Sequence, residues 1–397
     1  MNMIEVEQAL DIILAHSCEP ETHLVDISDA QDCILAENIY ADRDFPPFDR
    51  VTMDGIAINF EQYKNGQRDF EIEKTHTAGD PLYTLKNTKN AVEVMTGAIL
   101  PIGTDTVLRY EDLAILENSC QINAEVKIAQ NVHKKGIDKT AGELLLKAPC
   151  RLDAMQLAVA ATVGKAMLLV YSPLKVAVIS TGDELVAIDA PVAPHQIRRS
   201  NATAIDALLK GYPSQTTLFH LKDNLGELEK ELSLILHDHD VLILSGGVSM
   251  GKKDFIPQVL KSLGVTEHFH KIKQKPGKPM WFGTRENKTI FALPGNPTST
   301  IICMLQYVLP WFSRQFGLEN KKMILVKLAV PMSFNPELTH FVQANLSYLN
   351  AETWATPIVN NGSGDFANLS SSDGFIVFPN RENRTFSVEE VLHFIKF

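Results

Sequence analysis

Residues 241–254 read VLILSGGVSMGKKD: four apolar residues and a serine, a Gly-Gly pair, a polar loop and Asp254, ahead of a helical run at Ile256, Val259, Leu260 and Leu263. A short apolar run without alternation predicts a strand buried on both faces, as strands of parallel sheets read. The same unit recurs on either side. Upstream, LKVAVIS leads into Thr181-Gly182-Asp183-Glu184. A helix follows with Ile205, Leu208 and Leu209, expected to be capped by Asn201 and to end at Gly211. QTTLFHL then leads into Asp223, and Asn224 with Glu227 resembles a capping box for a helix carrying Leu225, Leu228, Leu232, Ile235 and Leu236. Downstream, strands are expected near Glu267–Ile272 and Thr289–Leu293, and a last helix opens after Asn296 with Pro297 in its first position. Strand and helix in alternation predict a central doubly wound, mostly parallel α/β sheet with helices on both faces.

Outside this block the pattern changes. The chain opens with an amphipathic helix over Met3, Val6, Leu10, Ile13 and Leu14. Residues from about 23 to 140 carry short alternating runs broken by Gly, Pro and Asn, which predict mostly β structure. A second helix follows Asp153, with Met155, Val159 and Val163 on one stripe and Gly164 as its stop. After Gly317, ILVKLAV, HFVQANL and GFIVFP predict a small separate β-domain. Three hundred and ninety-seven residues are too many for one ordinary core.

The net charge of −11 disfavours nucleic acid, so an anion site must be a local basic cluster. Five scattered cysteines, none spaced CxxC, argue against a zinc site or a disulfide framework and fit a reducing compartment. No apolar run is long enough to span a bilayer and the acidic start is not a signal peptide, so the cytoplasm is expected.

In an open parallel sheet, ligands bind beyond the carboxyl ends of the strands, where the unusual residues lie. Asp183, Glu184, Asp223 and Asp254 on one rim would repel each other unless a cation lay between them, and hard oxygen ligands suit Mg²⁺. Gly246 and Gly247, with Ser249 in the same loop, let backbone N–H groups approach phosphate oxygens. Asp223 and Asp254 are equally placed to be helix caps, and a Gly-Gly pair alone marks many turns. On one strand Lys271, Lys273 and Lys275 would share a face. Lys273 reads as an edge-strand lysine, whereas Lys275 and Lys278, in the rigid KPGKP turn, suit an oxyanion. LPGNPTS sets Gly295, Asn296 and Ser299 at a helix entrance suited to an anion. Asp54, in DFPPFDRVTMDG, and Thr96, in MTGA, read by themselves as turn residues.

Together, PPFDRVTMDG, VMTGAILPIGTDTVLRYED, VAVISTGDELV, SNATAIDALL, ILSGGVSMGKKDF, KQKPGKPMWFG, LPGNPTS and SSSDGFIVFP resemble, in order and approximate spacing, the MoeA-type molybdopterin molybdenumtransferases, a family that includes the gephyrin E domain. The resemblance spans residues from about 45 to 379. It implies a homodimer with four domains per subunit: a helical linker domain (1–24 and 140–172), an inserted β-rich domain (25–139), an α/β molybdopterin-binding domain (173–316) and a C-terminal β-barrel (317–397). It implies that adenylylated molybdopterin and molybdate are the substrates, that molybdenum enters the dithiolene, and that AMP leaves with help from Mg²⁺. Metal and pyrophosphate carboxylates then fall on Asp183, Glu184, Asp223 and Asp254, and anion-binding lysines on Lys271, Lys275 and Lys278. Asp54 and Thr96 become active-site residues supplied by the other subunit, with the molybdopterin adenylyltransferase and apo-molybdoenzymes as further partners.

The chain departs from the family pattern in places. Arg50-Val51-Thr52 stands where Asn-Ser-Ala is usual, Ile56 where Tyr is, and Gly136-Ile137-Asp138 in place of a GED-like turn, preceded by His133, Lys134 and Lys135 without an arginine. Arg199 replaces an Asp or Asn, and Gln343 a frequent arginine. Two other readings fit the same motifs: a pterin-binding scaffold without turnover, and a molybdopterin adenylyltransferase, against which the flanking domains argue.

Overall fold

A computed structural model describes residues 3–17, 20–248, 255–319, 323–358, 362, 364, 366–381 and 385–397. The chain divides into two compact units, one formed by Met1–Leu24, Cys33–Ala36 and Leu169–Phe397, the other by Val25–Asp32 and Glu37–Leu168.

In the first unit, six strands form one sheet: β1 (Leu174–Thr181), β2 (Ser214–Leu221), β3 (Val241–Ser245), β4 (Thr266–His270), β5 (Trp281–Arg285) and β6 (Lys288–Leu293). Their order is β2-β1-β3-β6-β5-β4. The first four in that order are parallel, and β5 and β4 are antiparallel additions at one edge. Helices α1 (Ser200–Leu209), α2 (Leu225–Asp238), α3 (Ile256–Ser262), α4 (Pro297–Cys303) and α5 (Leu309–Gln315) complete the layers. Val176, Val178, Val241 and Ile243 point to a core shared with α1, α4 and α5. The alternate residues Ala177, Ile179, Leu242 and Leu244 pack against α2 and α3. The period-two alternation of a strand thus supplies two apolar faces from one unbroken apolar run, as its composition required. The N-terminal helix Val6–Ala15 buries Val6, Ala9 and Ile13 in the first of these cores.

Strand β5 went unread in the sequence, and the lysine strand does not exist as expected. β4 ends at His270, Lys271 takes a φ of +98°, Ile272 makes an isolated bridge to Ile4, and strand pairing resumes at Gln274–Lys275. Lys271, Lys273 and Lys275 therefore do not share one strand face. Lys273 instead pairs with Glu5 at 2.5 Å. Asn201 is likewise not the cap of α1, because the helix begins at Ser200 with Arg199 in the cap position.

Beyond α5, the strands β7 (Ile324–Leu328), β8 (Thr339–Leu349), β9 (Glu352–Pro357), β10 (Gly374–Phe378) and β11 (Val391–Lys396) close on themselves in the order β8-β9-β7-β11-β10, with β10 pairing back onto β8. Closure removes the sheet edges and encloses Val326, Ala344, Ala355, Ile376 and Phe394.

The second unit is β-rich. Its six-stranded sheet runs Thr106–Arg109, Gly55–Ile58, Ala91–Val94, Asp69–His76, Ser119–Ile122, Leu113–Leu116, with separate apolar clusters around Val92 and Ile56. The helix Ala154–Thr162 carries the full capping box of Asp153 and Gln156. Its apolar stripe is not buried as a whole, since Met155 is 71% exposed. Among the described residues no helix is long and apolar enough to cross a membrane.

Candidate functional site

The carboxyl ends of β1, β3 and β6 open into a cavity of about 1000 Å³, at the upper end of small-molecule sites. Its floor is made by the strand ends themselves. At β3, Gly246 takes a φ of +103°, and a β-carbon there would lie 2.7 Å from the Thr181 carbonyl oxygen. Only glycine lets this loop run so close to β1. The loop is also held from behind, because the His270 ring donates from Nε2 to the Val248 carbonyl at 2.9 Å.

One side chain ties three loops together. Asn201 Nδ2 lies 2.9 Å from Ser245 Oγ, 2.8 Å from the Gly295 carbonyl oxygen and 3.1 Å from Thr300 Oγ1. Thr300 Oγ1 in turn donates to the Pro294 carbonyl at 2.7 Å. Asn201 thus fixes the β3 loop against the LPGNP loop, a role that its position beside a helix start concealed.

Of the residues singled out in the sequence, Glu184, Asp223, Gly246, Gly247, Lys275, Lys278, Gly295, Asn296 and Ser299 line the cavity. Capping does not explain Asp223, since Asn224 Oδ1 accepts the Glu227 N–H at 3.2 Å and is itself the cap of α2. The Asp223 N–H instead meets Asp183 Oδ1 at 3.3 Å, joining the β1 and β2 loops. Asp183 is not part of the cavity wall, and neither is Lys271. Ser249 and Asp254 lie outside the described residues. Among the described residues, no three His, Cys, Asp or Glu side chains converge closely enough to hold a metal ion by themselves. Glu184 and Asp223 do present hard oxygen donors to the cavity, and Mg²⁺ is commonly held by one or two carboxylates together with substrate phosphates.

The opposite wall comes from the C-terminal strands. Gln274 and Lys275 pair in parallel with Thr339 and His340 of β8, anchoring the KPGKP turn to the barrel. His340 stacks on Phe334 with ring centroids 4.0 Å apart. Burial, assisted by the Lys275 charge, pushes the imidazole down to about 4, so it is neutral at ordinary pH. Sequence reasoning found neither His340 nor this apolar wall, because a histidine within a strand carries no local signal.

In the second unit, Asp54 Oδ1 accepts from the Thr96 backbone N–H at 2.7 Å and from Thr96 Oγ1 at 2.8 Å. These two bonds hold the Asp54 carboxyl below its ordinary range. The residues that depart from the family pattern also meet. Arg50 stands opposite His133 in a short antiparallel pair, with Arg50 Nη2 3.1 Å from His133 Nδ1 and His133 Nε2 3.1 Å from Asp138 Oδ1. Because a guanidinium only donates, the imidazole accepts at Nδ1 and donates from Nε2 to Asp138.

Three family models match the chain. The MoeA N-terminal region (domain I and II) matches residues 4–164, the probable molybdopterin binding domain matches 177–314, and the MoeA C-terminal region (domain IV) matches 326–393. The chain is 36% identical over 386 residues to a molybdopterin molybdenumtransferase of Synechocystis sp., covering 96% of each. It is 34% identical over 323 residues to one of Haemophilus influenzae, covering 81% of this chain and 80% of that protein. A crystal structure of the molybdopterin biosynthesis MoeA protein of Pyrococcus horikoshii is 28% identical and superposes with a TM-score of 0.86, covering 100% of this chain and 99% of that one.

Proposed function

This chain belongs to the MoeA family of molybdopterin molybdenumtransferases, and from that premise we propose that its cavity binds adenylylated molybdopterin and molybdate for molybdenum insertion, with release of AMP. The observation that carries the assignment of the site is the cavity itself. In a protein of net charge −11, one wall offers two lysines and a glycine loop, and two carboxylates stand beside them. Lys275 and Lys278 attract the oxyanion, and the Gly246-Gly247 backbone approaches the substrate's phosphates. Gly295, Asn296 and Ser299 border the same phosphates, and Ser249 belongs to the same loop as the glycines. Lys271 and Asp183 act on this reading from behind the wall, Asp183 by holding the Asp223 backbone.

Glu184 and Asp223, with Asp254 after the glycine loop, would hold Mg²⁺, which when bound supplies neutralising charge to the phosphates. The apolar wall around Phe334 and His340 excludes water from one side of the cavity, which strengthens every charge interaction inside it. The substrate's dithiolene supplies sulfur, in keeping with five scattered cysteines, none spaced CxxC. The same proposal includes a cytoplasmic homodimer divided into the four domains described above. Asp54 and Thr96 complete the site from the second subunit, and the adenylyltransferase and apo-molybdoenzymes are exchange partners.

The test incubates purified protein with adenylylated molybdopterin, Mg²⁺ and molybdate, and measures AMP release and reconstitution of an apo-molybdoenzyme. Asp223→Asn is expected to lower turnover at least a hundredfold while leaving the fold intact, a loss typical of removing one preorganised charge from an active site. Full activity in that variant refutes the carboxylate's role. Pterin binding without molybdate-dependent AMP release assigns the chain to the scaffold reading.

A further inference from the structure

Lys275 and Lys278 are exposed on a turn of only five residues, yet the turn is fastened from beneath by buried side chains. Gln274 is fully buried, and its Nε2 donates to the Pro276 carbonyl at 3.0 Å. The thiol of Cys303, at the end of α4, contacts the next carbonyl, that of Gly277, at 3.8 Å. The Tyr307 hydroxyl donates to Gln274 Oε1. That direction follows from the amide, since a carbonyl can only accept, which turns Nε2 toward Pro276 and Oε1 toward the tyrosine. Both central carbonyls of the turn are therefore bonded from below.

Two further observations show that this arrangement is built in. Gly277 has a φ of +93°, and a β-carbon there would collide with Gln274 Nε2 and lie 2.9 Å from Cys303 Sγ, so the glycine admits the clamp as well as the turn. Tyr307 sits on a π-helical stretch, Met304–Val308, between α4 and α5. Such bulges rotate side chains out of α-helical register and are frequent beside functional sites. Burial raises both the Tyr307 phenol and the Cys303 thiol, so each keeps its proton and remains a donor.

We propose that Gln274, Tyr307 and Cys303 form a positioning assembly that sets the geometry of Lys275 and Lys278, so that oxyanion affinity depends on buried residues behind the two lysines. The proposal rests on the reading of those two lysines as the oxyanion site, and the experiment separates the two. Molybdate is titrated calorimetrically into the full-length protein, and AMP release is followed against molybdate concentration. Tyr307→Phe keeps the ring and removes one buried hydrogen bond of about 1 kcal/mol, for an expected weakening of about fivefold. KM for molybdate rises accordingly, and kcat changes less than about twofold if ground-state and transition-state binding are weakened equally. Gln274→Met, which releases Pro276 directly, is expected to weaken binding at least as much.

A double-mutant cycle then distinguishes positioning from general stabilisation. In a Lys275→Ala/Lys278→Ala background, Tyr307→Phe should have no further effect on molybdate binding. Undiminished binding in both Tyr307→Phe and Gln274→Met, with unchanged melting temperatures, overturns the proposal. So does an equal loss with and without the lysines. If the double lysine variant itself binds molybdate like the wild type, the lysine reading fails first and takes this proposal with it.

Discussion

Gly246 has room for nothing larger than hydrogen, with its φ of +103° and the Thr181 carbonyl 2.7 Å from where a β-carbon would stand. Gly246→Ala is therefore expected to destabilise the chain by about 2 kcal/mol, combining left-handed backbone strain with overpacking. Urea unfolding measures this, and a midpoint equal to the wild type would mean that the loop moves aside at little cost. His340 gives a pH signature. In the unfolded chain its imidazole takes up a proton near the ordinary 6.5, whereas in the folded chain it does so only at about 4. The unfolded state thus binds more protons between those values, so stability is held above pH 6.5 and lost as the pH falls toward 4. His340→Phe, which preserves the ring contact with Phe334, should flatten that part of the stability–pH curve, and an unchanged slope would contradict the buried neutral assignment. Legibility divides along the same line. That Gly246, Asp223 and Lys275 line the cavity was readable because each sits at a local signal, a strand end or a Pro-Gly turn. His340 and Asn201 were not, because their partners lie far away in sequence and no local pattern marks them.

At the scale of elements, apolar runs bounded by glycines placed β1, β3 and β6 closely, since burial on both faces leaves an unmistakable run, whereas β2 lies at the sheet edge with only Leu221 buried. β5 was missed because it follows directly on a Pro-Gly-Lys-Pro turn and carries Gly283 inside it. That glycine is needed because the Trp281 ring and the Thr266 carbonyl close over it. The stripe of the helix Ala154–Thr162 was read correctly as apolar, but periodicity does not say what covers a stripe, and Met155 stands exposed. For α1 the residue type was right and the job was wrong. Asn201 is two residues past the cap position and instead bonds Ser245, Gly295 and Thr300. Asn201→Ala is expected to cost about 2–3 kcal/mol, because it strips partners from several partly buried polar groups at once. Arg199→Ala, at the actual cap position but without a capping bond, should change stability by less than about 0.5 kcal/mol. Thermal denaturation of the two variants decides the matter, and a loss at Arg199→Ala as large as at Asn201→Ala would contradict the tie made by Asn201.

At the scale of the whole molecule, the charge of −11 directs attention to local cation clusters, and Lys275 and Lys278 do line the cavity. Hydrophobic period alone could not tell how the β-rich segment and the α/β block cooperate, because a strand's pattern records which face is buried and not which subunit completes a site. Asp54 and Thr96 entered the proposed site only through the family pattern, yet they are fastened to each other by two hydrogen bonds. If they serve the cavity of a second subunit, the sites of a homodimer are composite, and the two halves are separable by mutation. Asp54→Asn and Asp223→Asn should each abolish AMP release when made alone. Coexpressed and mixed at random, half of the dimers carry one of each, and such a dimer holds one site with both defects and one with neither. About a quarter of wild-type activity should then return, as twofold symmetry requires. A site contained within one subunit predicts no recovery, because every site then carries one defect. Size-exclusion chromatography with differentially tagged chains counts the mixed dimers, so that a failure to exchange subunits is not mistaken for a failure to share sites.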